Sequence, residues 1–162
     1  MKHNVKAVPA GYHTATPALV IADVARAIDF YKKALNAKEL MCMDMPGGMT
    51  HAEIKIGDSI IMLNNTHQDH AGHAENCPST PKELKGTTSS LYLYVEDADA
   101  TYKRAVAAGA TGTMPVTEMF WGDRMGNITD PFGYIWTIAT HVKNPTPTEM
   151  EEGAKEFAKS GN

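Results

Sequence analysis

The chain of 162 residues is long enough for one ordinary domain or two small modules sharing a core, and too short for two large independent domains. With 43% hydrophobic and 21% charged residues, its composition is that of a folded globular protein and not of a disordered chain. A net charge of −4 with both signs mixed gives no positive stripe for nucleic acid, and no apolar run is long enough for a signal peptide or a membrane span, so a cytoplasmic protein with neither partner is expected.

In chain order, residues 16–21 are apolar and β-branched and read as a strand. Asp23 then precedes Val24, Ala27, Ile28, Tyr31 and Leu35, which share one helical face. Asp23 can cap the free N–H groups of a first turn, and Asn36 tolerates the left-handed conformation that ends a helix. From residue 39 the pattern changes to period two. Runs 39–45, 50–56 and 59–64 are separated by Pro46-Gly47-Gly48 and Gly57-Asp58, so three strands joined by tight turns are predicted. Cys42 and Cys77, 35 positions apart with no second pair, fit neither a disulfide framework nor a zinc knuckle, and Cys42 is expected to be buried in its strand.

Residues 65–86 turn polar, with Pro78 and Pro81, and read as a surface connection. His67, His70 and His73 within it have a spacing that favours adventitious metal binding over a built site, because a polar loop would lose entropy on ordering around an ion. Residues 89–96 alternate again, and Asp97 and Asp99 open a helical stretch ending at Gly109. Strands follow at 111–118, 124–129 and 134–140, with Gly122-Asp123 and Pro131-Phe132-Gly133 as turns. Each half therefore reads β, α, β, β, β. The tail reads as a polar helix over 149–159, and His13 and His141 read most simply as capping or surface residues.

Several motifs in this order are similar to one family. They are Gly11-Tyr12-His13-Thr14, Ile21-Ala22-Asp23 with Ala27-Ile28-Asp29-Phe30-Tyr31-Lys32-Lys33-Ala34, His51-Ala52-Glu53-Ile54-Lys55-Ile56-Gly57-Asp58, Tyr94-Val95-Glu96-Asp97, Gly122-Asp123-Arg124 and Asp130-Pro131-Phe132-Gly133-Tyr134-Ile135-Trp136. Over roughly residues 11–143 the chain resembles the PhnB-like branch of the glyoxalase and bleomycin-resistance proteins, in the vicinal oxygen chelate superfamily. The resemblance implies an α+β fold of two βαβββ modules whose curved mixed sheets surround a cleft, usually within a homodimer. The organisation implied is an arm at 1–10, a first module at 11–64, a linker or lid at 65–87, a second module at 88–143 and a helical tail at 144–162.

In metal-using relatives four side chains hold a divalent ion in that cleft. Carried over one at a time, those positions fall on Thr16, Met62, Ser90 and Thr137. None is a carboxylate or imidazole, so the usual metal site is expected to be absent and no cofactor is expected; a divalent metal remains open only at a relocated site. Strand alternation tests this placement independently, because helices cover one face of each sheet and require apolar residues there. Leu91, Leu93 and Val95, Ala52, Ile54 and Ile56, Ile61 and Leu63, and Trp136 and Ile138 fit the covered faces. The cleft then receives Ser90, Tyr92 and Tyr94, His51, Glu53 and Lys55, Met62 and Asn64, and Thr137 and Ala139.

The sharpest chemical candidates are His51 and Glu53, on one strand face about 6 to 7 Å apart along the backbone, where the carboxylate could orient the imidazole as a general base. A solvated rim pair is the alternative. Tyr92 and Tyr94 could stack on a planar ligand or fill a sheet interface. Trp121, Asp123 and Arg124 fall on a turn near the cleft mouth, where Arg124 could pair with a ligand carboxylate or phosphate, or with Asp123. The expected function is binding of a small organic molecule in the inter-module cleft. The alternative is a metal-dependent lyase, isomerase or dioxygenase with a relocated site that includes His51 and Glu53.

Overall fold

A computed structural model describes residues 6–65 and 79–159. The chain divides into two units, Met1–Gly86 and Thr87–Asn162. The first contains β1 (Ala18–Val20), α1 (Val24–Leu35), β2 (Lys38–Met45), β3 (Met49–Ile56), β4 (Ser59–Asn64) and a short α2 (Pro81–Leu84). The second contains β5 (Ser90–Tyr94), α3 (Ala98–Ala107), β6 (Thr111–Glu118), β7 (Asp123–Thr129), β8 (Ile135–His141) and α4 (Pro147–Lys159). His67, His70, His73 and Cys77 lie outside the described residues.

Each unit builds a four-stranded mixed sheet with the same connectivity, β1-β4-β3-β2 in the first and β5-β8-β7-β6 in the second. The opening strand runs parallel to the last one, β1 beside β4 and β5 beside β8, and the remaining pairs are antiparallel. A parallel neighbour needs a crossover, and α1 and α3 supply it.

Helix α1 begins where Asp23 accepts the Arg26 N–H at 3.0 Å and ends at Asn36, whose φ of 54° is left-handed. It buries the predicted stripe of Val24, Ala27, Ile28, Tyr31 and Leu35, widened by Phe30 and Ala34. Beneath it the first core is Leu19, Ile21, Ala52, Ile54, Ile56, Ile61 and Leu63, all buried. In the second unit Asp97 caps α3 by accepting from the Ala100 N–H at 2.9 Å, and the core contains Ala105, Ile128, Trp136 and Ile138.

The turn between β7 and β8 is locked by a buried carboxylate. Asp130 accepts from the backbone N–H groups of Phe132 and Tyr134 and from the Trp136 indole, each at 2.9 Å. Its Asp-Pro-Phe-Gly sequence is thus a structural device that ties a turn to the largest core side chain.

The structure departs from the sequence reading in local ways. The polar connection contains α2, nucleated by a reciprocal capping box between Thr80 and Glu83 with Pro81 at its start. Helix α4 starts earlier than predicted, because Thr146 and Glu149 form a second such box. Cys42 is exposed and not buried: β2 is the outer strand of its sheet, and none of its residues is fully buried. Partial desolvation, then the carboxylates of Asp44 and Glu39, push its thiol up, which disfavours the reactive thiolate.

Candidate functional site

In the first unit, alternation along β3 sends His51, Glu53 and Lys55 to the face opposite Ala52, Ile54 and Ile56. The register with β4 sets His51 across from Asn64 and Glu53 across from Met62. The segment before β1 crosses this face. There the Tyr12 phenol donates to Glu53 Oε2, and Gly11, at a φ of +87°, lies against Ile60. This cover leaves Glu53 only 8% exposed.

The other Glu53 oxygen, Oε1, lies 3.4 Å from His51 Nε2, and His51 Nδ1 lies 2.7 Å from Asn64 Oδ1. With Asn64 Oδ1 as acceptor, Nδ1 carries the proton, so Nε2 donates to Glu53 only when the ring is doubly protonated. The hydrogen bond to Glu53, then burial and the Glu53 charge, raise the Tyr12 pKa above the ordinary phenol value. With the ring doubly protonated, a phenol, a carboxylate, an imidazolium and an amide form one hydrogen-bonded chain.

The second unit repeats the motif with different residues. The Tyr92 and Tyr94 phenols donate to Asp123 Oδ2 at 2.9 and 3.0 Å. Asp123 Oδ1 lies 2.7 Å from His141 Nδ1, and His141 Nε2 lies 3.0 Å from Asn144 Oδ1. Both ring nitrogens face acceptors, which stabilises the imidazolium. The His141 pKa is accordingly raised, first by Asn144 and then by Asp123. Burial pushes the Asp123 pKa up, but hydrogen bonds from His141, Tyr92 and Tyr94 outweigh it and leave the carboxyl below its ordinary value. Burial first, then the bond to Asp123, push Tyr92 up to about 12, while a hydrogen bond from Trp121 works the other way.

The predicted residues fall into groups. His51, Glu53, Met62 and Asn64 share one strand face in the first unit, and Tyr92, Tyr94, Asp123 and Thr137 share one in the second. Thr137 donates to Asn127 Oδ1 at 2.9 Å, and Ser90 is exposed on the same face of β5. Thr16 lies before β1 and donates to the His13 carbonyl at 3.1 Å. Arg124 is a correction. As the residue after Asp123 on β7 it points to the other face, where its guanidinium grips Asp99 of α3 with two bonds of 2.6 and 2.8 Å. It neither pairs with Asp123 nor joins the tyrosines.

Sequence reasoning missed Tyr12, Asn127, His141 and Asn144. His141 was findable, because it continues the 137, 139, 141 alternation of β8. Tyr12 lies in an irregular segment with no period to place it.

The superfamily's ion requires carboxylate or imidazole donors, and Thr16, Met62, Ser90 and Thr137 offer only hydroxyls and a thioether. These residues do not fit that ion. Among the described residues no three His, Cys, Asp or Glu side chains are grouped to hold a metal. Among them, too, no helix is long and apolar enough to cross a membrane.

A pair of βαβββ units, each closed by a parallel contact between its first and last strands, is the vicinal oxygen chelate fold. The family model described as Glyoxalase/Bleomycin resistance protein/Dioxygenase superfamily matches residues 13–138, and the chain belongs to that superfamily. An uncharacterized protein of Mycobacterium bovis is 38% identical over 137 residues, covering 84% of this chain and 88% of the relative. Among solved structures, TioX from Micromonospora sp. ML1 superposes with a TM-score of 0.60 at 22% identity, over 83% of this chain and 100% of that one. The fosfomycin resistance protein FosX from Listeria monocytogenes superposes with a TM-score of 0.62 at 14% identity, over 85% and 97%. At such identities the two structures establish shared architecture and nothing of ligand or chemistry.

Proposed function

We propose that this chain is a cytoplasmic, homodimeric binding protein of the PhnB-like branch, which holds a small organic molecule on the uncovered faces of its sheets without the superfamily's usual ion. The observation that carries this reading is the exchange of donor types. Thr16, Met62, Ser90 and Thr137, onto which the resemblance carries the ligand positions of metal-using relatives, offer no carboxylate or imidazole, while the strand faces hold phenols and hydrogen-bonding side chains tied to buried carboxylates. Such surfaces suit a planar or amphipathic organic ligand better than a hydrated cation. Other members of the superfamily, by name, confer resistance to bleomycin and fosfomycin. Equilibrium dialysis of the metal-stripped protein against bleomycin, fosfomycin and a panel of planar metabolites tests the reading. Stoichiometric retention of one compound without turnover is expected; retention only after metal is restored overturns it.

A second reading is favoured by the Tyr12–Glu53–His51 contacts, which bring a carboxylate and an imidazole together on one strand face. In that reading the chain is a lyase, isomerase or dioxygenase, with a relocated metal that includes His51 and Glu53. Elemental analysis of untagged protein grown with Ni²⁺, Zn²⁺ or Fe²⁺ discriminates the two. Stoichiometric metal that is lost in Glu53→Gln supports the enzyme.

A further inference from the structure

Tyr92 and Tyr94 combine two properties that rarely coincide. The two residues are 46% and 61% exposed, yet both hydroxyls are fixed on one oxygen of Asp123, itself only 3% exposed. An exposed tyrosine ordinarily swings freely, but these two are held with centroids 5.1 Å apart and planes tilted by 45°. A phenol donating to a carboxylate shifts electron density into its ring and deepens the negative potential over its face. Trp121, half-buried on the turn between β6 and β7, packs its ring edge-to-face against Phe120, with centroids 4.9 Å apart. No Lys or Arg projects from this face of the second unit's strands. Arg124 is turned away to Asp99, and the nearest basic group, His141, is bound to the other Asp123 oxygen.

We propose that the Tyr92–Tyr94 surface, backed by Asp123, selects an organic cation, a planar or alkylated ammonium-type group seated on the ring faces. The proposal rests on the small-molecule reading above and names its ligand class. Fixed rings lose little entropy on binding, and the anionic support makes charge, and not ring stacking alone, the source of preference.

The test compares N-methylquinolinium with quinoline, which have nearly the same shape and differ in charge, by equilibrium dialysis of the full chain at pH 8. The cation is expected to bind about tenfold more tightly or better, in the range of a desolvated cation–π contact. Tyr94→Leu should abolish the preference, while Tyr94→Phe, which keeps the ring but not its bond to Asp123, should retain part of it. Far-UV circular dichroism of each variant establishes that it is folded. Equal affinity for both probes, lost together in Tyr94→Leu, overturns the cation class and leaves the binding-protein reading standing. No binding of N-methylquinolinium, or binding unchanged in Tyr94→Leu, overturns the assignment of this surface. The metabolite panel decides the broader reading separately.

Discussion

Asp130 and Asp123 are both buried carboxylates of the second unit, and they differ in what they serve. Asp130 accepts from Phe132, Tyr134 and Trp136 of its own turn and strand, and Asp130→Ala would take this acceptor from the indole N–H of Trp136, a residue only 1% exposed. The expected cost is about 2 to 4 kcal/mol by urea unfolding, since a buried donor loses a charged partner. Adding Trp136→Phe removes the donor side of this bond, so the double variant should lose less than the sum of the singles. Asp123 instead joins two phenols to an imidazole, and His141 gives that cluster a pH signature. Its folded pKa lies above the ordinary 6.5, so its contribution to stability is fully present below that value and fades as pH rises through the folded pKa. The Asp123 contribution has the opposite sense: its depressed pKa makes it present above the ordinary carboxyl value and lost in acid. The stability gap between the wild type and His141→Gln should therefore be widest between about pH 5 and 6 and shrink towards pH 8. A gap independent of pH would show that His141 acts through packing alone.

At the scale of elements, the cluster depends on how β8 leaves its sheet. Gly122 has a φ of +95°, and a Cβ there would collide with the Lys143 carbonyl and meet Pro145 Cδ at 2.9 Å. Its own carbonyl accepts from Val142 and Lys143 at 2.8 and 3.0 Å, which fixes the strap that brings Asn144 to His141. Gly122→Ala should cost at least about 2 kcal/mol, a fall of roughly 4 to 8 °C in Tm for a chain of this size. It should also lower the His141 pKa measured by NMR, because Asn144 is withdrawn. The caps and faces of these elements were legible because they are local: Asp23 and Asn36 bound α1 from adjacent positions, and period two placed Tyr92, Tyr94 and Thr137 on one side. What escaped was non-local or irregular. Arg124 was misplaced because its partner, Asp99, lies 25 residues away on α3, although the same alternation puts it on the face opposite Asp123. Tyr12 reaches Glu53 across 41 residues from a segment without periodicity.

For the whole molecule, the repeated βαβββ order was readable because turns and periodicity recur in both halves, whereas the fate of each sheet's outer strand was not, since edge exposure depends on what a sheet leaves uncovered. The two long edges differ. β6 contains Pro115 and two register shifts, and its exposed positions include Thr111, Gly112, Thr113, Thr117 and Glu118, features that discourage further pairing. β2 is eight residues long with no proline, has one register shift, and exposes Leu40 at 48% and Met43 at 52%. An open edge with large apolar side chains is a template for a second strand, so the homodimer proposed above is expected to form along β2. Sedimentation velocity should then show a concentration-dependent dimer for the wild type. Leu40→Lys and Met43→Lys should each weaken it by about tenfold or more through a buried, unpaired charge, while leaving the monomer's circular dichroism unchanged. Substitution of Thr113 by Lys on β6 serves as the control and should leave the dimer intact. A wild type that stays monomeric at high concentration, or a dimer sensitive to Thr113→Lys and indifferent to Met43→Lys, would mean that β2 is not the surface through which two copies meet.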